Sequence, residues 1–406
     1  MTAVMQDTLD LARMRRERLA KVQQGMADGG FDALVLSENS AVRYATGAEM
    51  MNVEISRNAY DPTIAVVLPN GLPHLFTPYP EGAPPELPAD HVHGPLLVEF
   101  DEGVAALAGA LADLVGAGAL HVGFDDLSAA ELEQLPTLAP TMTIGDAGTV
   151  LAPAKILKTD DEVECIRRAQ AINELAMYDV YAGLRPGVRQ TDLSGIFLRR
   201  IFELGASANM VDPIWNAMAR SIASGPFTVH GDVAFPLNST DRILRQDDLL
   251  MVDTGMLYEG YASDFGRTWI VGRDTPSARQ HDQFKRWKDV IARVLAITRP
   301  GTTGLELNRA GRAEEHTRRP WLDHFYLIHG IGTDSAEMPL IGTDLGEEFD
   351  ESIVLAPGMV MVLEPVIWDD GDGGYRSEEV VVVTDNGYRC LSRFPYMPFE
   401  EGTVAW

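Results

Sequence analysis

At 406 residues the chain is too long for one ordinary hydrophobic core, and its length favours two domains. Its 46% hydrophobic and 23% charged content is that of a globular protein and excludes extensive disorder. The formal net charge of −27 offers no positive footprint for nucleic acid, and no stretch approaches the roughly 20 apolar residues of a membrane span.

The N-terminal segment MTAVMQDTLDLARMRRERLA is charged and helix-like, without the apolar core of a secretion signal. Cys165 and Cys390 lie far apart and follow no metal-like spacing, so they read as free thiols. Together these features predict a cytoplasmic protein. A helix is expected over 9–29, stopped by Gly29-Gly30. Phe31–Leu36 and Thr63–Leu68 read as short buried strands, the second ending in the turn Pro69-Asn70-Gly71. A helix over about 101–117 and a strand over 120–124 complete a small α/β domain covering 1–152. Pro78–Pro88 reads as an exposed loop within it.

Thr159-Asp160-Asp161-Glu162 has the form of a capping box and opens a long helix reaching about Ala182, at the start of a second domain over 153–406. This domain carries a diverged internal repeat. Arg185-Pro186-Gly187 and Arg299-Pro300-Gly301, offset by 114 residues, each end a helix and precede another helical segment and paired strands. Asp253 ends the apolar run Leu249-Leu250-Met251-Val252, and Asp264 lies across a turn from it in Ser263-Asp264-Phe265-Gly266-Arg267-Thr268. The same offset carries Asp264 onto Glu378 and carries Asp253 three residues past Glu364, at the end of Val360-Met361-Val362-Leu363. Strand-end acids ordinarily face solvent. Four repeat-related acids meeting at one centre could not all ionise without cations, which makes them candidate metal ligands. His329, in the apolar run Tyr326-Leu327-Ile328-His329-Gly330, is the candidate nitrogen ligand. Arg376 and Glu337 are candidate substrate contacts.

In this ordered set, V-D-T-G, S-D-F-G-R-T, H-G-I-G, L-E-P and Y-R-S-E-E, the chain resembles the creatinase, prolidase and methionine-aminopeptidase family of pita-bread metallopeptidases. The resemblance implies an α/β N-terminal domain of creatinase/prolidase type before an α+β pita-bread catalytic domain with an internal pseudo-two-fold repeat. It further implies two divalent ions (Mn, Co, Fe or Zn) on Asp253, Asp264, His329, Glu364 and Glu378. Asp264 and Glu378 would be shared, a metal-bound hydroxide would attack, and Glu364 or another of these acids would shuttle protons. A homodimer acting on a dipeptide or other small molecule is implied as well. Peptidases of this type carry two further histidines, where this chain reads Pro236 and Ala336; His230 is the candidate replacement for the first. The leading expectation is a metallohydrolase cleaving a small amide or X-Pro-like bond. The alternatives are a lyase resembling the dimethylsulfoniopropionate lyase of this fold, and a non-catalytic pita-bread binding module.

Overall fold

The computed structural model describes residues 9–50, 63–116, 118–218, 220, 239–312, 326–369 and 371–402. The chain divides into two compact units, Met1–Lys155 and Ile156–Trp406. Cys165 and Cys390 are not joined by a disulfide.

The first unit is built on a six-stranded sheet ordered Val92–His93, His74–Phe76, Ile64–Val67, Ala33–Leu36, Leu120–Phe124, Met142–Asp146. Ala33–Leu36 is central, antiparallel to Ile64–Val67 and parallel to Leu120–Phe124. Successive side chains of a strand face opposite ways, so an unbroken apolar run needs cover on both faces. Leu34 and Leu36 pack against Val22 and Met26 of helix Leu11–Gly29, whereas Ala33 and Val35 pack against Val104, Leu107 and Leu111 of helix Asp101–Val115. The first helix is capped by Asp10, whose side chain accepts from the Arg13 amide, and ended by Gly30 at φ 67°. Helix Ala129–Leu138 and strand Met142–Asp146 follow, elements with no strong periodic signal in the sequence. The segment read as a loop over 78–88 contains one turn of 3-10 helix, Pro80–Gly82.

The second unit opens with helix Asp160–Gly183, and the reciprocal capping box of Thr159 and Glu162 is present. Its internal repeat is visible in the order of elements. Asp160–Gly183 and Gln190–Glu203 precede a sheet ordered Phe265–Ile270, Leu249–Tyr258, Ala208–Ala217. Ala278–Ile297 and Gly304–Gly311 precede Glu379–Thr384, Val360–Leu363, Ile328–Gly330, with Glu337–Ile341 and Gly387–Cys390 at the edges. Both Arg-Pro-Gly turns place their glycine at positive φ, 92° at Gly187 and 88° at Gly301. Equivalent bridges follow them, Arg189 to Ile243 and Thr303 to Val354. The central strand Leu249–Tyr258 explains its own composition. Met251 joins the core of helix Ala278–Ile297 with Trp287 and Val290, while Leu250 and Val252 join that of helix Asp160–Gly183 with Met177 and Trp269. Asp253 therefore leaves the strand on the Met251 side, one pleat beyond the core. Among the described residues no helix is long and apolar enough to cross a membrane.

Candidate metal centre

The four acids and the histidine come from both repeats and meet at the seam between the two sheets. Asp253 lies opposite Gly266 on one side and Ile214 on the other. Asp264 stands in the turn that leads into Phe265–Ile270. Two polar residues of helix Asp160–Gly183 hold this hairpin. Gln170 Oε1 accepts from the Asp264 amide at 3.2 Å. Asn173 Nδ2 donates to the Thr254 carbonyl and to Ser263 Oγ, each at 2.9 Å, and Asn173 Oδ1 accepts from Thr254 Oγ1 at 3.0 Å. The backbone beside each acid is thereby tied to one buried amide.

In the second repeat the Glu364 amide donates to Leu327 O at 3.1 Å, at the end of Val360–Leu363. Hairpin Val366–Asp369 with Gly373–Arg376 returns the chain to Glu378. The Glu378 amide donates across the seam to Gly266 O at 3.1 Å. Position 266 has to lack a side chain, because a Cβ there would lie 2.3 Å from Glu378 Oε1. His329 donates from Nδ1 to Gly330 O at 2.8 Å, leaving Nε2 directed at Glu364 Oε1, 2.9 Å away, and Asp264 Oδ2, 3.3 Å away. That is the arrangement of a metal-binding imidazole, whose second nitrogen is held by a carbonyl.

Ligand atoms of Asp253, Asp264 and Glu378 all lie within 4.8 Å of one another. Arg376, 3% exposed, enters the same group. Its Nη1 bonds Asp253 Oδ2 at 2.7 Å, and its Nη2 bonds Glu364 Oε2 and lies 2.6 Å from Glu378 Oε1. The last contact is close without a hydrogen-bond angle: both Glu378 oxygens are buried and have no hydrogen-bond partner. Buried carboxylate oxygens left in that condition are costly, and a cation is the partner that suits them.

The electrostatics follow from this crowding. Burial, partly offset by Arg376 and reinforced by Asp264, raises the Asp253 carboxyl to about 6. Burial and the Asp264 charge push Glu378 well above the carboxylate range. Glu364 is also desolvated, but Arg376 and His329 outweigh this and draw it down to about 2. Burial opposes charging of His329, yet Glu364 and Asp264 carry it up to about 10. The cluster thus holds excess protons that a bound cation would displace. Tyr326 stands over the His329 ring with centroids 5.2 Å apart, its phenol raised by burial and by Glu364.

The other candidates lie elsewhere. Glu337 ion-pairs with the buried Lys158 ammonium at 2.5 Å. Ala336 is exposed. His230 and Pro236 fall outside the described residues. The sequence reading missed Gln170, Asn173 and Arg267. Polar residues interleaved with the buried apolar positions of helix Asp160–Gly183 were the available signal for the first two.

Residues 164–385 match the model of metallopeptidase family M24. The chain belongs to this family. Residues 18–154 match the creatinase/prolidase N-terminal domain, so the architecture is that domain followed by an M24 catalytic domain. The chain is 29% identical over 248 residues to an Xaa-Pro dipeptidase of Pyrococcus furiosus, covering 60% of this chain and 65% of that protein, slightly under two thirds. It is 25% identical to an Xaa-Pro dipeptidase of Pyrococcus horikoshii over 383 residues, 93% of this chain and 97% of the relative. The prolidase structure from Pyrococcus horikoshii OT3 superposes with a TM-score of 0.72 at 22% identity, covering 93% of this chain and 98% of the other. An Xaa-Pro dipeptidase structure from Bacillus anthracis gives 0.73 at 21% identity, covering 94% and 98%. At those identities the structural likeness speaks for the fold.

Proposed function

We propose that this M24 chain is a dinuclear divalent-metal hydrolase of the Xaa-Pro dipeptidase type, cleaving a dipeptide or similarly small amide. The observation that carries the metal reading is Glu378, whose two buried oxygens lack hydrogen-bond partners within reach of Asp253 and Asp264. Asp253, Asp264, His329, Glu364 and Glu378 would hold two cations, with Asp264 and Glu378 shared. Oxygen-rich ligation with one imidazole suits Mn, Co, Fe or Zn. When bound, such a pair makes water a nucleophile at neutral pH and polarises the scissile carbonyl.

The chain's own groups have separable tasks. Glu364 is pinned at one oxygen by His329 and at the other by Arg376, which keep it ionised without metal, so as the proposed proton shuttle it starts as the acceptor, from a fixed position. Arg376 balances the acids from inside the cluster. His329 keeps its orientation through Gly330 O. His230 is the proposed donor to the substrate side.

Family membership and the peptidase names of the relatives favour hydrolysis over the lyase and binding-module readings. A local observation agrees. The lyase pattern has an acid two residues beyond the first metal Asp, where this chain has Gly255, and a Cβ there would already lie 3.1 Å from Ser263 O.

Metal analysis of the purified protein should find up to two divalent ions per chain, lost in Asp264→Ala and Glu378→Ala. Unchanged metal content in those variants would sink the ligand assignment. Incubation with X-Pro dipeptides should release free proline. Acrylate from dimethylsulfoniopropionate, with no dipeptide cleavage, would reverse the choice between hydrolase and lyase. We extend the reading to a cytoplasmic homodimer, whose oligomeric part sedimentation would test.

A further inference from the structure

Just behind the metal cluster lies a second group of buried charges that the proposed chemistry does not use. Arg267 is 1% exposed and Glu379 fully buried, and the guanidinium Nη2 lies 3.3 Å from Glu379 Oε1. The acid is closed off by Tyr396, whose hydroxyl donates at 2.6 Å, and by Ser392 Oγ at 2.5 Å. The guanidinium stacks over the Tyr396 ring, 4.9 Å from its centroid. Enclosing two ions in this way is weak evidence for a gain in stability, since a well-packed apolar pair often serves as well or better. The placement of the pair suggests a different role.

Arg267 faces Val252 in its sheet and Glu379 faces Leu363 in the other, each opposite the residue just before an acid of the cluster, Asp253 or Glu364. The two therefore hold similar places beside the acids, one in each sheet, and meet across the seam. Arg267 Nη1 donates to Gly266 O at 2.8 Å and to Glu378 O at 2.6 Å, while Nη2 also donates to Phe394 O at 2.8 Å. The Glu378 amide already donates to Gly266 O, so Glu378 is held at its N–H and its C=O by two consecutive residues of the other repeat. Asp264 stands two residues before Gly266 on that same strand entry. The distance between the two acids assigned to both cations is thus set by one fork of hydrogen bonds.

We infer that Arg267 is a positioning residue for the metal pair: it locks the two repeats in the register at which Asp264 and Glu378 can share cations, and Glu379 holds its guanidinium in place. The inference rests on the metal-site reading above. Lysine at this position would keep the charge opposite Glu379, but a single ammonium cannot span three carbonyls and a carboxylate as the planar fork does.

The test is Co2+ titration of the metal-stripped full chain by calorimetry, together with the visible absorption of the bound cobalt. Wild type, Arg267→Met and Arg267→Lys are compared, each checked for fold by circular dichroism. Loss of a group that orients ligands lowers metal affinity about 10–100-fold, and that is the loss expected for Arg267→Met, with an altered cobalt spectrum and a smaller loss for Arg267→Lys. Asp350→Asn, which loosens a buried network with Asn308 and Gly342 elsewhere in the same unit, should leave cobalt affinity unchanged. Wild-type affinity and spectrum in Arg267→Met would overturn the inference. Should that variant fail to fold, wild-type values in Arg267→Lys would do so, as would an equal loss in Asp350→Asn. Absence of cobalt binding by wild type would instead remove the metal-site reading on which the inference stands.

Discussion

Replacing Arg376 by methionine isolates the electrostatic problem of the metal cluster. In the metal-free protein the guanidinium touches Asp253, Glu364 and Glu378 from a fully enclosed position. With Glu378 held protonated by burial and Asp264, and His329 charged, the group carries three carboxylates against two cations, a net charge near −1. Methionine would make it near −2 and leave the carboxylate oxygens now facing Arg376 without that donor. Removing one partner of a buried ion pair costs about 3–5 kcal/mol, and the lower end is expected here because Asp253, already raised to about 6, can take up a proton. Cations entering the site replace the lost charge. A ligand present at about 100 times its dissociation constant stabilises the fold by roughly 2.7 kcal/mol, and the more negative variant should gain more than wild type. Urea unfolding in EDTA and in Mn2+ measures both quantities. The fluorophores are well placed, since Trp215, Trp269 and Trp287 are fully buried in the unit that holds the site. The gap between variant and wild type should be about 3 kcal/mol or more in EDTA and should narrow in Mn2+. A gap below about 1 kcal/mol, or one that metal leaves unchanged, would refute the counter-charge role.

Three other outcomes are expected. Gly266→Ala puts a methyl group 2.3 Å from Glu378 Oε1, so stability should fall by about 1–3 kcal/mol and calorimetry should register weaker metal binding; full affinity would mean that Glu378 moves aside without consequence. Asn173→Ala takes from the buried Thr254 hydroxyl its oxygen acceptor and from Ser263 Oγ the amide donor, leaving Ser263 its bonds to Met256, which should cost about 1–3 kcal/mol by urea unfolding; a neutral result would show that the hairpin does not depend on the helix. In the first unit His74 Nδ1 meets His93 Nε2 at 3.0 Å, and both rings are held below the usual histidine range by burial and then by His91. Depressed folded-state values mean stability that is present above pH 6.5 and lost as pH falls through them. The hydrogen-exchange protection factor of the Thr77 amide, which donates to His93 O, should therefore drop between pH 7 and pH 5 in wild type and drop less in His74→Asn, where only the His93 contribution remains.

Much of the architecture was legible because its signals are local. The Thr159–Glu162 capping box marks its helix start within four residues, and the apolar runs 33–36, 64–67 and 249–252 announce strands covered on both faces. The 114-residue offset between the Arg-Pro-Gly turns was equally readable, because each turn, a few residues past its helix, has a glycine at positive φ. It drew the strand-end acids together before any coordinates did. Helix Ala129–Leu138 was less legible: it carries a proline at 136 and only two buried residues, so its periodicity is weak.

The sequence alone therefore determined the two-part α/β and pita-bread plan, and it singled out Asp253, Asp264, His329, Glu364 and Glu378 as one set. Tertiary structure decided how the charges in and around that set are arranged. Arg376 read as a candidate substrate contact, and pairing of Val366–Asp369 with Gly373–Arg376 carries its guanidinium inward among the acids. Arg267 read as part of a motif with no task, and its partner Glu379 stands 112 residues along the chain. Gln170 and Asn173 reach the Asp253–Asp264 hairpin across more than 80 residues. The reason is common to all of them. Periodicity and capping report what a segment does with its own neighbours, whereas the partner of a buried charge depends on which distant backbone arrives beside it.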